Sequence, residues 1–163
     1  MEPQIKKPEF TDNDLHGIIE AVLQKYERNL PRGIKVKRYF AEDISSIKCD
    51  QAQLNAAFSN LVENALEAMG SKGVLTIRTA VVEKIIDKSV KRYVEIKFED
   101  TGKGMSEQEL ANLFKPFESN KPGGTGLGLV ITRSIIEQHQ DQIKIESKEG
   151  IGTVVTVLLS TKR

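Results

Sequence analysis

The sequence lacks most of what marks a secreted or membrane-spanning protein. It contains one cysteine, Cys49, so an internal disulfide is excluded, and no apolar run approaches the ~20 residues that cross a bilayer. The stretch 1–10 is polar and proline-spaced, unlike the apolar core of an export signal. We therefore expect a cytoplasmic chain without direct membrane contact, and leave open whether the full-length protein is soluble or membrane-anchored.

An excess of charge of either sign is also missing. Lysine and arginine total 24 against 23 aspartates and glutamates, so no broad field would attract nucleic acid or an anionic membrane. The 163 residues, 39% of them apolar, are enough to bury one substantial core. We expect one domain over 11–163, preceded by a linker remnant or flexible N-terminus over 1–10.

Apolar residues recur at three-to-four-residue spacing in several segments, which predicts amphipathic helices. Thr11 or Asp12 is placed to cap the first of them, and Gly70 and Gly73 close the second. The predicted helices, the third of them short, span residues 11–30, 50–69, 106–113 and 127–139.

Alternating or β-rich runs predict the strands of a single sheet. The second and third runs are separated by a charged stretch at 85–91 and predict a hairpin. Together with the three main helices they predict an α+β fold, a two-layer α/β sandwich with a mixed sheet of about five strands. The predicted strands span residues 34–40, 74–83, 92–99, 143–147 and 153–159.

Two amides lie four residues apart on the second predicted helix. Asn60 and Asn64 therefore share one side of it. They could simply form hydrogen bonds at the helix surface. Alternatively, an amide oxygen could meet Mg²⁺, which takes oxygen ligands and accompanies phosphates.

An acidic residue, Asp100, directly follows a predicted strand, and Gly102 and Gly104 open the loop after it. The pattern is compatible with an ordinary turn. A carboxylate in this place could also accept a hydrogen bond from an exocyclic amine such as that of adenine, and would discriminate against bases without one.

A glycine run at 123–128 stands immediately before the last predicted helix. It could be a flexible linker. Unpaired N–H groups and the positive dipole end of a helix can also bind phosphate, and Lys121 could reach the outer phosphates or remain a solvated surface residue. The run lacks the G-x-x-x-x-G-K-[ST] arrangement and does not follow a first strand, which disfavours a P-loop or dinucleotide fold.

In order and spacing, five motifs resemble the GHKL superfamily of ATPases and kinases with the Bergerat fold, and within it the sensor histidine kinases. The short segment between the third and fourth motifs and the Ala-Leu-Glu-Ala-Met ending of the second helix resemble the nitrogen-regulatory type. The motifs are similar to the N box at 60–65, the first glycine box at 100–104, the F box at 114–117, the second glycine box at 124–129 and a last motif at 150–153.

The resemblance implies a role for each matching residue. Asn64 would coordinate Mg²⁺ with support from Asn60, Asp100 would read the adenine amino group, and Lys121 would reach the phosphates as part of a flexible lid. Asn60, Asn64 and Lys121 would be catalytic. The residues expected to bind ATP are Asn60, Asn64, Asp100, Gly102, Gly104, Met105, Phe117, Lys121, Gly124, Thr125, Gly126, Leu127, Gly128, Leu129 and Thr153.

Asn60 occupies the place of a glutamate that, in the hydrolases and serine-directed kinases of the superfamily, positions the attacking group. Glu63 would project from a different side of the helix. This favours a histidine kinase, because an imidazole needs little help from a base. The alternatives are an ATP-hydrolysing conformational clamp, a serine-directed regulatory kinase, or a module that only binds nucleotide or a partner.

Neither His16 nor His139 has the sequence context of a phosphoacceptor, and we expect both to be structural. The acceptor would come from a separate dimerisation and phosphoacceptor (DHp) domain, and the resemblance implies a response regulator receiver domain as the further partner. Two departures from the family stand out. Gln140 falls where a glycine often makes a left-handed helix end, and Glu67 falls where many relatives carry a cation, so its charge should point away or weaken binding slightly.

Overall fold

The computed structural model describes residues 6–44, 46–113 and 128–161. The elements in these ranges alternate between short strands, helices and the longer strands of one sheet. In chain order they are β1 (Thr11–Asn13), α1 (Leu15–Glu27), β2 (Gly33–Tyr39), β3 (Ile47–Cys49), α2 (Gln51–Met69), β4 (Lys72–Ile86), β5 (Ser89–Asp100), α3 (Glu107–Ala111), α4 (Gly128–Gln138), β6 (Gln142–Lys148) and β7 (Gly152–Ser160).

Five strands form the main sheet in the order β2-β4-β5-β7-β6. β2 is parallel to β4 and the other neighbours are antiparallel, so the sheet is mixed. Helix α2 packs on β4 and β5, α4 packs on β6, and both α1 and α4 flank α2. The apolar residues between the two layers are fully buried, among them Phe58 of α2 and Phe98 of β5. The predicted two-layer sandwich is confirmed.

Helix α2 lies at the centre of the helical layer, and its ends are set by its own sequence. The side chain of Asp50 accepts a hydrogen bond from the backbone N–H of Gln53 at 3.0 Å, which satisfies one of the unpaired donors at the helix start. At the other end Gly70 has a φ of 71°, a conformation that ends the helix at little cost for glycine. The predicted bounds of this helix are confirmed to within a residue.

The predicted start of the first helix was wrong. Residues Thr11–Asn13 form the strand β1, which pairs antiparallel with β3 in a separate two-stranded sheet. The side-chain amide of Asn13 also donates to the carbonyl of Cys49 at 3.0 Å. The N-cap of α1 is Asp14, whose side chain makes no capping hydrogen bond, so neither Thr11 nor Asp12 caps the helix. The partner strand is 36 residues away, beyond the reach of a local pattern.

The charged stretch at 85–91 is also more ordered than its composition indicated. Strands β4 and β5 continue through it and are joined by a two-residue turn at Asp87 and Lys88, both with positive φ, as a tight hairpin requires. Two cross-strand pairs on this extension are favourable, Glu83 opposite Arg92 and Ile85 opposite Val90. Cross-strand pairing of this kind stabilises a ribbon even with little burial.

The end of α4 confirms the prediction of a left-handed conformation without glycine. Gln140 has a φ of 62°. The backbone N–H groups of Gln140 and Asp141 donate to the carbonyls of Glu137 and Ile136 at 2.9 and 3.1 Å. These two hydrogen bonds are those of a Schellman helix end, and they offset part of the conformational energy of the left-handed residue.

Candidate functional site

The site is organised by the way α4 runs along α2. His139, just after α4, contacts the start of α2 at Asp50, and Thr132 contacts Asn60 in its middle. The two helices are therefore antiparallel. Gly128 and Asn64 each lie four residues from this second contact, a distance of about 6 Å along each helix axis. The first residue of α4 consequently lies level with Asn64.

The two predicted amides lie side by side and partly exposed on α2. The Nδ2 of Asn60 donates to the hydroxyl of Thr132 at 3.4 Å, which directs the amide of Asn60 towards α4. Glu63 lies on the other side of the helix, where its carboxylate accepts a hydrogen bond from the hydroxyl of Tyr26 in α1 at 3.1 Å. The prediction that Glu63 projects in a different direction from Asn60 is confirmed. Glu67 also lies on the α1 side, beside Lys25 and Tyr26 in an open cleft.

Asp100 is the last residue of β5, and the loop that contains Gly102 and Gly104 follows it directly. Its Oδ1 accepts a hydrogen bond from the backbone N–H of Gly102 at 2.8 Å. Burial raises the pKa of Asp100, while hydrogen bonds from the backbone N–H groups of Gly102 and Thr153 oppose that shift. A carboxylate has about four acceptor positions, and these two bonds use half of them. A half-buried acceptor held in this way can receive a further donor.

The glycines of the loop after Asp100 have a packing reason to be glycine. A Cβ on Gly102 would lie 2.7 Å from the backbone of Ala68 in α2, and one on Gly104 would lie 2.0 Å from the carbonyl oxygen of Lys148. Backbone hydrogen bonds also hold Lys103 in this loop. Its N–H donates to the carbonyl of Ala68 in α2 at 3.1 Å, and its carbonyl accepts from the N–H of Gly150 at 2.7 Å. The predicted contact of Gly102 and Gly104 with a ligand stays a prediction.

A serine that the sequence did not single out holds the far side of this loop. The hydroxyl of Ser147 in β6 accepts a hydrogen bond from the backbone N–H of Met105 at 2.8 Å and lies 2.7 Å from the hydroxyl of Thr153. Thr153 in turn pairs with Asp100 in the register of β5 and β7. Met105, Thr153 and Asp100 are thus brought together, and their contact with a nucleotide stays a prediction. Ser147 belongs to no motif, and only its place opposite Thr153 reveals its role.

Part of the predicted site lies outside the described residues, namely Phe117, Lys121, Gly124, Thr125, Gly126 and Leu127. Gly128 and Leu129 open α4, and Leu129 packs against the hydrophobic core.

Both histidines have structural partners, which confirms that interpretation. His139 is fully buried, with its ring nitrogens bonded to the carbonyl of Ile135 and to the N–H of Asp50. His16 lies 2.9 Å from the hydroxyl of Thr79 and stacks on the ring of Phe40 at 4.5 Å.

Comparison with known proteins agrees with this geometry. The family model described as histidine kinase-, DNA gyrase B-, and HSP90-like ATPase matches residues 49–163. The chain belongs to this family. It is therefore an ATP-binding domain of the histidine kinase, gyrase and HSP90 type.

Two similar proteins are named as kinases. The chain is 36% identical over 155 residues to Sporulation kinase C of Bacillus subtilis, covering 94% of this chain and 34% of that protein. It is 34% identical over 157 residues to the sensory histidine kinase/phosphatase NtrB of Vibrio alginolyticus, covering 94% and 45%. The chain thus spans about a third to a half of the length of these two relatives.

Among solved structures, the catalytic domain of histidine kinase ThkA is similar along almost its whole length. The TM-score is 0.78 at 27% identity, with 94% of this chain and 96% of that domain covered. The mixed sheet and its helical layer are therefore those of a histidine kinase catalytic domain. In the part of the chain that the structure describes, no helix is both long and apolar enough to cross a membrane.

Proposed function

We propose that this domain binds ATP with Mg²⁺ and transfers the γ-phosphoryl group to a histidine of a separate DHp domain of the same kinase, in the cytoplasm, for delivery to a response regulator receiver domain. The observation that carries the proposal is that an amide, Asn60, faces Thr132 of α4, while Glu63 is bonded to Tyr26 on the opposite side of α2. A nucleophile that needs a carboxylate base finds none at that position, whereas a neutral imidazole needs little help.

The base of ATP would be recognised at Asp100. Hydrogen bonds from the backbone N–H groups of Gly102 and Thr153 already orient its carboxylate, which can accept a further hydrogen bond from the exocyclic amine of adenine. Because the acceptor is half-buried, a base without that amine would leave it unpaired, which is the basis of discrimination. Gly104 and Met105 would line the pocket beside it, where the bond from Met105 to Ser147 holds the backbone.

The phosphates would lie between α2 and the start of α4. The unpaired N–H groups and positive dipole end of α4 favour a phosphate there, and the alignment of the helices puts Asn64 at that level. Amide oxygens are suitable ligands for Mg²⁺, so Asn64 would hold the ion with support from Asn60. When bound, Mg²⁺ would neutralise charge on the transferring phosphoryl group. Lys121 and the glycines at 124–128 would complete the phosphate contacts.

The domain would act mainly by positioning the reactants. In the transfer, a nitrogen lone pair of the acceptor imidazole forms the new N–P bond as the bond from the γ-phosphorus to the bridging oxygen breaks. ADP leaves with that electron pair, and the imidazole releases its other ring proton to solvent.

Residues 11–163 would form the catalytic domain and residues 1–10 would join it to the preceding segment. Within residues 1–10, the backbone N–H of Glu9 donates a hydrogen bond to the side chain of Asp50.

An ATP-hydrolysing clamp and a serine-directed kinase are the alternatives, and both need a group that activates the attacking oxygen. Glu63 would have to leave Tyr26 and turn around the helix to serve. Steady phosphate release by the isolated chain, abolished by Glu63→Gln, would favour the clamp over the kinase.

The direct test is incubation of the chain with labelled ATP, Mg²⁺ and a panel of helical-hairpin acceptor domains. We expect label on an acceptor histidine that is lost in acid and stable in base. The matched control is the same acceptor with its histidine replaced by glutamine. Clear ATP binding without transfer to any acceptor of the panel would support a module that only binds nucleotide.

A further inference from the structure

Helix α4 contributes a buried polar side chain that contacts the proposed magnesium site. Thr132 is fully buried, and its hydroxyl lies 3.4 Å from the Nδ2 of Asn60. The two residues are 72 positions apart in the chain. A hydroxyl at this place is unusual, because most residues on the inner side of α4, such as Ile135 and Ile136, are aliphatic.

From this contact we infer that Thr132 is a positioning residue that sets which end of the Asn60 amide faces the metal. An amide has a donor nitrogen on one branch and an acceptor oxygen on the other. Because Thr132 accepts from the nitrogen, the oxygen is directed to the opposite branch. The inference rests on the proposed function, in which Asn60 supports Mg²⁺ at Asn64.

The orientation matters because a reversed amide would present N–H donors to a cation. Residues that orient metal ligands through hydrogen bonds typically change metal affinity 10–100-fold when they are removed. Thr132 belongs to the helix whose first residue lies level with Asn64. The hydroxyl of Thr132 therefore couples the packing of α4 on α2 to the geometry of the proposed metal site.

The test is the Mg²⁺ enhancement of ATP affinity, defined as the dissociation constant in EDTA divided by that in saturating Mg²⁺, measured by calorimetry on the chain. We expect Thr132→Val to lower this ratio about 10-fold, with little change in ATP affinity in EDTA. Thr132→Ser keeps the hydroxyl and should retain most of the enhancement. Thr132→Ala provides a second variant without the hydroxyl if the valine does not fold.

A matched control separates positioning from stability. Thr79→Val removes another buried threonine hydroxyl, which forms hydrogen bonds with Ala41 and His16. It should destabilise the fold to a similar degree and leave the Mg²⁺ enhancement unchanged. In the background of Asn60→Ala, Thr132→Val should cause no further loss of enhancement, because the group that it orients is gone.

The inference is overturned if Thr132→Val keeps the wild-type enhancement, or if Thr79→Val loses as much. It is also overturned if the losses of Asn60→Ala and Thr132→Val simply add. In those cases the proposed function stands, since the wild-type chain still binds ATP with Mg²⁺. Absence of saturable ATP binding by the wild type would overturn the proposed function and this inference together.

Discussion

The imidazole of His139 accepts a hydrogen bond from the backbone N–H of Asp50 across 3.1 Å. Its other ring nitrogen lies 2.9 Å from the carbonyl of Ile135, which can only accept, so that nitrogen carries the proton. The ring of Phe10 packs edge-on against the imidazole at 5.3 Å. One neutral histidine therefore joins the end of α4, the start of α2 and Phe10, which lies before β1.

Replacement of this histidine should be costly to stability. His139→Ala leaves the N–H of Asp50 without its partner and opens a cavity, so we expect a loss of about 2–3 kcal/mol in the free energy of unfolding, measured by urea denaturation. Lys144→Ala, on an exposed position of the edge strand β6, should change it by less than about 0.5 kcal/mol. Equal effects of the two substitutions, or label from ATP on His139, would contradict the structural role.

The carboxylate of Asp100 should determine the preference for adenine. We expect Asp100→Asn to lower ATP affinity about 10- to 100-fold, because it replaces a hydrogen bond to a charged acceptor worth about 1.5–3 kcal/mol. Affinity for inosine triphosphate, which lacks the exocyclic amine, should fall less. Calorimetric titration with both nucleotides gives the comparison.

The neighbouring carboxylate provides a control of equal charge. The side chains of Glu99 and Asp100, successive residues of β5, point to opposite faces of the sheet. The carboxylate of Glu99 accepts a hydrogen bond from Arg78 at 2.5 Å, so Glu99→Gln should leave both nucleotide affinities nearly unchanged. If Asp100→Asn weakens both nucleotides equally, the carboxylate does not read the amine.

His16 should make the stability of the domain depend on pH. Burial lowers the pKa of His16 below 6.5, against smaller opposing effects of Asp14 and Glu20. The hydroxyl of Thr79 accepts from the N–H of Ala41 and can donate to His16 only when the ring is neutral. The folded state thus binds fewer protons than the unfolded state between the two pKa values, and stability present above pH 6.5 is lost as the pH falls through the folded pKa.

The measurement is urea denaturation of the wild type and His16→Gln at pH 7.5 and at successively lower pH. Glutamine keeps a side-chain oxygen for Thr79 but does not titrate in this range. We expect the difference between the two proteins to shift against the wild type as the pH falls. A difference that is constant with pH, or that shifts in favour of the wild type, would show that His16 does not lose a neutral-ring interaction.

Gln140 should be a position where glycine stabilises the fold. Its φ of 62° is left-handed, which costs a residue with a Cβ about 1–2 kcal/mol. After the greater freedom of glycine in the unfolded chain is counted, Gln140→Gly should raise the free energy of unfolding by about 0.5–1 kcal/mol. Gln138→Gly, at the last residue of α4, should lower it by about 0.5–1 kcal/mol. A loss of stability in both variants would contradict the strain at Gln140.

Local patterns were sufficient wherever a residue's structure depends on its near neighbours. The apolar spacing of α2, its start near Asp50 and its end at Gly70 were visible in the sequence, while the resemblance to the family indicated the left-handed residue after α4. The β-rich runs indicated the sheet, and the order of the motifs indicated the family. These features could be read because helix periodicity and capping act over three or four residues.

The remainder was decided by contacts between distant segments. Asn13 and Cys49, Thr132 and Asn60, and Met105 and Ser147 meet although 36 or more residues separate each pair. A three-residue strand has too few residues for an alternation, and a buried threonine or serine resembles any other until its partner is known. The sequence by itself thus determined the main helices, the five strands of the large sheet and the family that they build. Only the tertiary structure decided that β1 pairs with β3, that Glu63 faces α1, and that the hydroxyl of Thr132 meets the amide of Asn60, because each depends on where chain folding brings the partner.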